Sequence, residues 1–385
     1  MSAPDFDSER LERAVAALGL SPLGDAATAT PVYLVGGAVR DILLGRPREG
    51  ADVDVAVEGD ATAIARRLGV EVREHARFGT ASVALGDLGV DLASTRSETY
   101  SAPGALPDVA AADLDADLAR RDFTVNAMAV PIAEPSRLID PHGGLADLEA
   151  GLIRVLHRGS FTDDPTRALR AARYAARFGF GLEPETEVQL REAQIASVSA
   201  ERVEAELLRL AAEPRWRNGF ELLEAWGLVA GADLELMATV RELLESGPPW
   251  SDAAMPEATM LLAGHPSSGT FSPRPEPLRC ARELAAIEPG PPSALALAAR
   301  DVAPASLVIA RALGAGWLDA FMAKWRDVRL EIDGEDLLSA GVEQGPAIGR
   351  GLAKALAARL DGEVSGREDE LRLALAAARA EPGAG

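Results

Sequence analysis

The residues that could do chemistry begin in one stretch, Val32-Tyr33-Leu34-Val35-Gly36-Gly37-Ala38-Val39-Arg40-Asp41, followed eleven residues on by Asp52-Val53-Asp54. An apolar, β-prone run breaks at two glycines and becomes a helix-like segment. Asp52 and Asp54 lie in a second apolar run, and on a strand residues i and i+2 share a face, so their carboxylates project together. Two hard oxygen ligands side by side suit Mg²⁺, which binds one or two carboxylates together with substrate phosphate oxygens. The glycines let backbone N–H groups approach a phosphate at a helix start. Each half has a plainer reading: a strand-to-helix turn for Gly36-Gly37, and a solvated strand edge for Asp52 and Asp54. Their joint appearance at this spacing points to a grip for a nucleoside triphosphate and its metal.

Such a grip needs a scaffold. Strands are expected at Val32–Val35, Val53–Val57, Ala81–Leu85 and Val90–Ala93, with helices near 38–45 and 60–68 and an amphipathic helix over 8–20. The segment Thr99 to Asp113, with Pro103-Gly104 and Pro107, reads as a loop or mobile arm. After about residue 150 the pattern changes. Residues 163–179, 185–195 and 200–212 carry helical periodicity with Arg and Glu on the polar side, and Ser199 is placed to cap the last of them. No strand is expected after residue 160. Gly247-Pro248-Pro249, the region 264–277 and Pro289-Gly290-Pro291-Pro292 are breakers between Ala- and Leu-rich helices that run to about 380.

At 385 residues the chain is long enough for two or three domains. Its net charge of −21 argues against broad, non-specific nucleic-acid binding. Local contacts depend on where the arginines sit. Six arginines (154, 158, 167, 170, 173 and 177) face only Asp163 and Asp164 in one window, which is therefore about four charges positive. A lone Cys280 provides neither a disulfide framework nor a Cys-based zinc site. The N-terminal MSAPDFDSERLERAV lacks the basic and apolar regions of a signal peptide, and no run approaches the ~18 apolar residues of a membrane span. These features predict a soluble, cytoplasmic protein with no membrane association.

Four further segments bear on chemistry. Phe78-Gly79-Thr80-Ala81 precedes Val90-Asp91-Leu92-Ala93, with Arg96, Glu98 and Tyr100 beyond. Asp117-Leu118-Ala119-Arg120-Arg121-Asp122-Phe123-Thr124-Val125-Asn126-Ala127 carries Arg121, able to contact phosphates or ribose, and Asp122 and Asn126, which share a face if the piece is helical. Asp140-Pro141-His142-Gly143-Gly144-Leu145-Ala146-Asp147-Leu148 leads into Ile153-Arg154. In Phe161-Thr162-Asp163-Asp164-Pro165-Thr166-Arg167-Ala168-Leu169-Arg170-Ala171-Ala172-Arg173-Tyr174, Pro165 suits a first helical turn. Asp164 and Arg167, three apart, can face one pocket. A carboxylate accepts from a base's amino group and a guanidinium donates to ring nitrogen or carbonyl oxygen. A salt-bridged surface helix is the plainer reading of that last segment.

Across residues 30–212 these segments resemble the nucleotidyltransferase superfamily. Within it, they are similar to the branch of bacterial poly(A) polymerases and class II tRNA nucleotidyltransferases (CCA-adding enzymes). The resemblance implies an α+β fold, with a polymerase-β-like mixed-sheet head over 1–150, a helical neck over 151–215 and a helical body and tail over 216–385. It implies Mg²⁺ on Asp52 and Asp54, with Asp91 completing the metal site or accepting the attacking hydroxyl's proton. Gly36, Gly37, Arg40, Arg121 and Asp122 would hold the nucleotide. Asp164 and Arg167 would read CTP or ATP without a template, and Arg170 and Arg173 would extend a basic face toward phosphates. The hinge residue His142 reads as structural.

The implied partner is the tRNA 3′ acceptor end, lying along the arginine-bearing faces of the neck. Asp163 stands where many relatives have glutamate, a shorter reach for orienting Arg167. Glu201-Arg202-Val203 with Glu206 reads as a structural motif in which Arg202 and Glu206 pair at i,i+4. None of the four histidines (75, 142, 157 and 265) forms an HD-type metal pair, so the phosphohydrolase domain of some relatives is expected to be absent. CC-only, A-only and poly(A) addition, transfer to a small molecule, and a catalytically silent RNA-binding homologue remain open alternatives.

Overall fold

In chain order, α1 (Ser8–Ala17) and α2 (Ser21–Ala27) precede β1 (Val32–Val35), which ends at the glycine pair. Gly36 turns the chain with a left-handed φ of +69°, a conformation that favours glycine, and α3 (Gly37–Leu43) follows. Then come β2 (Val53–Val57), α4 (Ala61–Arg67), β3 (Val72–His75), β4 (Thr80–Leu85) and β5 (Leu88–Ser94). This computed structural model describes residues 7–46, 52–75, 79–264 and 275–380. Phe78, His265, the side chain of His75 and most of the 264–277 breaker region lie outside the described residues.

The head continues with β6 (Arg96–Thr99), β7 (Asp108–Ala111), α5 (Leu114–Ala119), β8 (Ala129–Pro131) and α6 (Gly144–Ala150), and β9 (Leu152–Ile153) follows it. Six strands form a mixed sheet in the order β3-β4-β5-β2-β1-β8, with β2 parallel to β5 and the other neighbours antiparallel. Alternation along β2 decides which side carries what. Val53, Val55 and Val57 are buried, whereas Asp54 is exposed. On Asp54's side, Ala56 packs in a cluster with Val35, Leu114, Leu118, Ala127 and Ala129, so α5 covers one end of the sheet and leaves the carboxylate end uncovered. Helix α4 packs against β3, β4 and β5.

Two departures from the sequence reading appear here. The segment 99–113 is not a bare loop: Asp108–Ala111 pairs with Arg96–Thr99 as an antiparallel hairpin. All four β7 residues are exposed, so no apolar alternation announced the strand. A short strand also follows residue 160, because β10 (Gly181–Leu182) pairs in parallel with β9. Two residues, one of them glycine, give too short a run to recognise.

The neck segment holds α7 (Ser160–Asp163), α8 (Thr166–Phe178), α9 (Pro184–Leu190) and α10 (Ala200–Ala211), and α11 (Trp216–Ala225) follows it. The expected 163–179 helix is split because Pro165 has no N–H and Asp164 is extended (φ −133°). Ser199 occupies the N-cap position of α10 without a side-chain capping bond.

The chain divides into two units, the first running to Ala230 and the second beginning at Gly231. The described residues of the second unit are helical, and prolines open five of its helices: Pro256–Gly264, Pro275–Ala285, Pro292–Ala299, Pro304–Ala312 and Pro346–Leu360. A cluster of Ile332, Leu337, Val342, Ala355, Ala374 and Ala378 forms a core near the C-terminal end. No helix among the described residues is long and apolar enough to cross a membrane.

Candidate active site

The floor of the site is one row across the sheet: Val35 on β1, Asp54 on β2, Asp91 on β5 and Ser82 on β4 are registered partners. All four line a cavity of about 910 Å³. Ser82 Oγ donates to Asp91 Oδ1 at 2.5 Å. Partial desolvation raises the Asp54 carboxyl above its ordinary range, Arg121 opposes that shift, and the Asp91 and Asp52 charges add to it. A carboxylate held against its preference by two neighbouring negative charges is a place where a cation would be welcome. Asp52 lies one row away, over Gly89. A β-carbon there would come within 1.9 Å of Asp52 Oδ1, so this glycine makes the room that the carboxylate uses. Asp52 does not line the cavity, and the described residues contain no cluster of three metal-ligating side chains.

The walls come from the glycine turn and from the segment around Arg121. Gly36 leaves no space for a side chain, since a β-carbon would stand 2.8 Å from Arg121 Nη1 and 3.6 Å from Asp54 Oδ2. Arg121 Nη2 donates to Asp117 Oδ2 at 3.0 Å, while its Nε is buried with no hydrogen-bond partner among the described residues. Burial alone would raise the Asp117 carboxyl, but Arg121 and Arg120 outweigh it and hold it low. Gly37 and Arg40 also line the cavity. Arg40 is buried, donating to Asp41 and Asn126, with its guanidinium 4.6 Å from the Phe178 ring centroid and 5.3 Å from that of Tyr174.

Helix α8 supplies the roof. Asp164 accepts through Oδ1 from Thr166 N (3.0 Å), Thr166 Oγ1 (2.6 Å) and Arg202 Nη2 (2.9 Å), and its Oδ2 has no partner among the described residues. Arg167 donates to Ser160 Oγ at 2.6 Å and to the Arg120 carbonyl at 2.7 Å. Both residues line the cavity, as the sequence reading expected of residues three apart.

The arginine row is otherwise not an open basic face. Arg170 pairs with Asp122, and Arg177 with Asp41. Arg173 is buried beside Glu206 and Glu213, with its guanidinium 4.6 Å from the Tyr174 ring centroid, and does not line the cavity. Asp122 is likewise committed: Oδ1 accepts from Phe123 N and Asn126 Nδ2, and Oδ2 from Arg170. Thus Gly36, Gly37, Arg40, Asp54, Asp91, Arg121, Asp122, Asp164, Arg167 and Arg170 converge on one cavity, and Asp52 and Arg173 are not among its lining residues.

Two sequence expectations are corrected. Arg202 and Glu206 do not pair with each other. Arg202 reaches away to Asp164 and to the Gly104 carbonyl, and Glu206 meets Arg170, Arg173 and Arg209. Helical spacing gives a shared face but says nothing about what faces it. Asp163 does not orient Arg167, a task performed by Ser160 and the Arg120 backbone, and instead it lies 3.9 Å from His157. The sequence reading also gave no role to Ser82, Ser160 or Thr166. Nothing in their local spacing distinguishes them from ordinary polar positions.

Comparison with known proteins supplies the remaining findings. The poly A polymerase head domain matches residues 32–154, and a domain described as a probable RNA- and SrmB-binding site of polymerase A matches residues 179–232. The chain is 34% identical over 355 residues to a CC-adding tRNA nucleotidyltransferase of Deinococcus radiodurans, covering 89% of this chain and 88% of that one. It is 32% identical over 400 residues to an A-adding tRNA nucleotidyltransferase of Geobacter sulfurreducens, covering 90% of this chain but only 45% of the relative's length. Among solved structures, a CCA-adding enzyme in complex with ATP superimposes with a TM-score of 0.74 at 29% identity, over 96% of this chain and 97% of that one. The likeness therefore runs beyond the cavity through head, neck and helical tail, and the chain belongs to the tRNA nucleotidyltransferase family built on the poly(A) polymerase head.

Proposed function

We propose that this protein adds C and A nucleotides to the 3′ end of tRNA, without a template, taking CTP and ATP and releasing pyrophosphate. The observation that carries this reading is the single cavity in which the carboxylates Asp54 and Asp91 lie on the floor and the Asp164–Arg167 pair in the roof. The first pair suits phosphoryl chemistry and the second suits reading the edge of a base. Support also comes from the ATP complex of a solved relative and from the tRNA activities named for others.

The donor set fits Mg²⁺. Asp54 has its pKa raised by a partly desolvated, negatively charged setting to which Asp52, just before β2, contributes. Asp52 and Asp54 would hold the metal, which would supply neutralisation of phosphate charge and a lower pKa for the 3′-hydroxyl. The 3′-oxygen attacks the α-phosphorus, a new P–O bond forms, and the bond to pyrophosphate breaks. Asp91, its Oδ1 steadied by Ser82, takes up the hydroxyl proton. Arg121, with its unsatisfied Nε, and the backbone at Gly36 and Gly37 receive the triphosphate. Arg40 acts from beneath, fixing Asn126 and so Asp122. Arg170, gripped by Asp122, fixes the roof over the nucleotide, and Asp164 offers Oδ2 to a base amino group while Arg167 donates to its acceptors.

A second reading, addition of the two C residues alone, is favoured by the near full-length match to the CC-adding relative. The test is incorporation of labelled CTP and ATP, separately and together, into tRNA transcripts ending before CCA, after C and after CC. Complete CCA that then stops supports the first reading. C addition to the first two transcripts that stops at CC, with no A added after CC, supports the second reading; A addition to the last transcript alone, long A tracts or no incorporation overturn both.

A further inference from the structure

The base-reading pair needs something to hold a base flat against it, because hydrogen bonds at an edge do not fix the plane of a ring. The hairpin of β6 and β7 brings one aromatic side chain, Tyr100, into the lining of the cavity that holds Asp164 and Arg167. Its hydroxyl donates to Glu98 Oε2 at 2.9 Å. Arg120 Nη1 donates to Glu98 Oε1 at 2.8 Å, and the Arg120 carbonyl accepts from Arg167 Nη2 at 2.7 Å. Three hydrogen bonds therefore run from the Tyr100 hydroxyl to the guanidinium of Arg167. This bracket sets the tyrosine relative to the base-reading arginine. The loop beyond Tyr100 is anchored too: Gly104 N donates to the Asp163 carbonyl, and Arg202 Nη1 donates to the Gly104 carbonyl at 2.9 Å.

We infer that Tyr100 is the stacking wall of the nucleotide site, presenting its ring to the base of the incoming CTP or ATP while Asp164 and Arg167 read that base's edge. Its hydroxyl is occupied by Glu98, so the group left to a ligand is the ring, and every base has a π-face to offer it. The phenol does not serve as a base. Burial first, and the neighbouring Glu98 second, push its pKa up to about 12, so it stays a protonated donor. A wall of this kind adds affinity for both nucleotides and leaves the choice between them to Asp164 and Arg167.

This inference rests on the nucleotide site proposed above, and equilibrium dialysis of CTP and ATP with Mg²⁺ tests it without requiring transfer. Tyr100→Leu, which keeps apolar bulk and loses the π-face, and Tyr100→Ala are expected to weaken binding of both nucleotides roughly tenfold, within the range of base–aromatic stacking. Tyr100→Phe, which loses only the tether to Glu98, is expected to cost about two- to threefold. In steady state the same variants raise KM for CTP and ATP and leave KM for tRNA unchanged. Thermal melting of each variant separates lost stacking from misfolding. Nucleotide affinities of Tyr100→Leu within twofold of the parent would overturn the inference, as would an effect on tRNA binding alone. Failure of the parent protein to transfer any nucleotide would instead sink the functional reading, since dialysis would still report on the wall.

Discussion

Arg170 on α8 donates from both Nε and Nη2 to a single oxygen of Asp122, which lies 48 residues earlier in the chain. The bond ties the neck helix to the segment that carries Arg121. Asp122 is also bonded to Asn126, and Asn126 to Arg40. A buried polar chain therefore runs from the neck to the glycine turn, so the distance between base reader and triphosphate grip is set by hydrogen bonds as well as by packing.

The first prediction concerns acid. Burial would raise the Asp122 carboxyl, but Arg170 and Asn126 outweigh it and bring it down to about 2 from 3.8. A depressed carboxyl contributes stability that is present above the unfolded value and lost as pH falls through the folded one. Between pH 5 and pH 2 the parent protein is expected to lose about 2 kcal/mol more than Asp122→Asn, read from urea unfolding at each pH. At pH 7 Asp122→Asn should itself cost about 2 kcal/mol, because the partly buried Arg170 loses its nearer charge partner and keeps only Glu206 at 3.5 Å. Equal pH slopes for the two proteins would refute this.

Gly89→Ala should act on the metal site from a distance of one row. A new β-carbon would meet Asp52 Oδ1 at 1.9 Å and Cγ at 2.7 Å, so the carboxylate must swing aside. The Mg²⁺ concentration for half-maximal incorporation is expected to rise roughly tenfold, the scale on which displaced supporting groups alter metal sites. A magnesium titration identical to the parent's would show that Asp52 is not held where Gly89 leaves room.

Arg202→Ala tests the corrected partner of that residue. A helix-surface pair with Glu206 would contribute only about 0.3–0.5 kcal/mol of stability and nothing to binding. Bonded to Asp164 and to Gly104, Arg202 instead fixes a base-reading carboxylate and a loop. The expected result is a KM for CTP and ATP raised about tenfold, together with faster proteolysis around Gly104. Unchanged nucleotide KM with a slightly lower melting temperature would return Arg202 to a purely structural role.

The parts of this fold that were legible in the sequence are those written in local spacing. The two glycines end β1, Asp54 alternates with buried valines, and Pro165 opens the neck helix beside Asp164. The parts that were not legible depend on partners far along the chain. Arg202 meets a residue 38 positions away, and Arg40 is taken up by Asn126, 86 positions away. The six arginines of residues 154–177 looked like a basic surface because the acids that neutralise several of them, Asp41, Asp122 and Glu213, lie outside that window. The β6–β7 hairpin was hidden for another reason, since a strand exposed on both faces carries no alternation to read.

The central claim is that Asp54 takes part in the chemistry rather than in the fold, and one substitution tests it most directly. Its carboxyl is raised by desolvation and by neighbouring acids, so at neutral pH the ionised group works against the folded state. Asp54→Ala should therefore melt at or above the parent's temperature. Its incorporation of labelled CTP into a tRNA transcript ending before CCA, measured with saturating Mg²⁺, should fall by at least about a thousandfold. Near-parental incorporation by a folded Asp54→Ala protein would contradict the account.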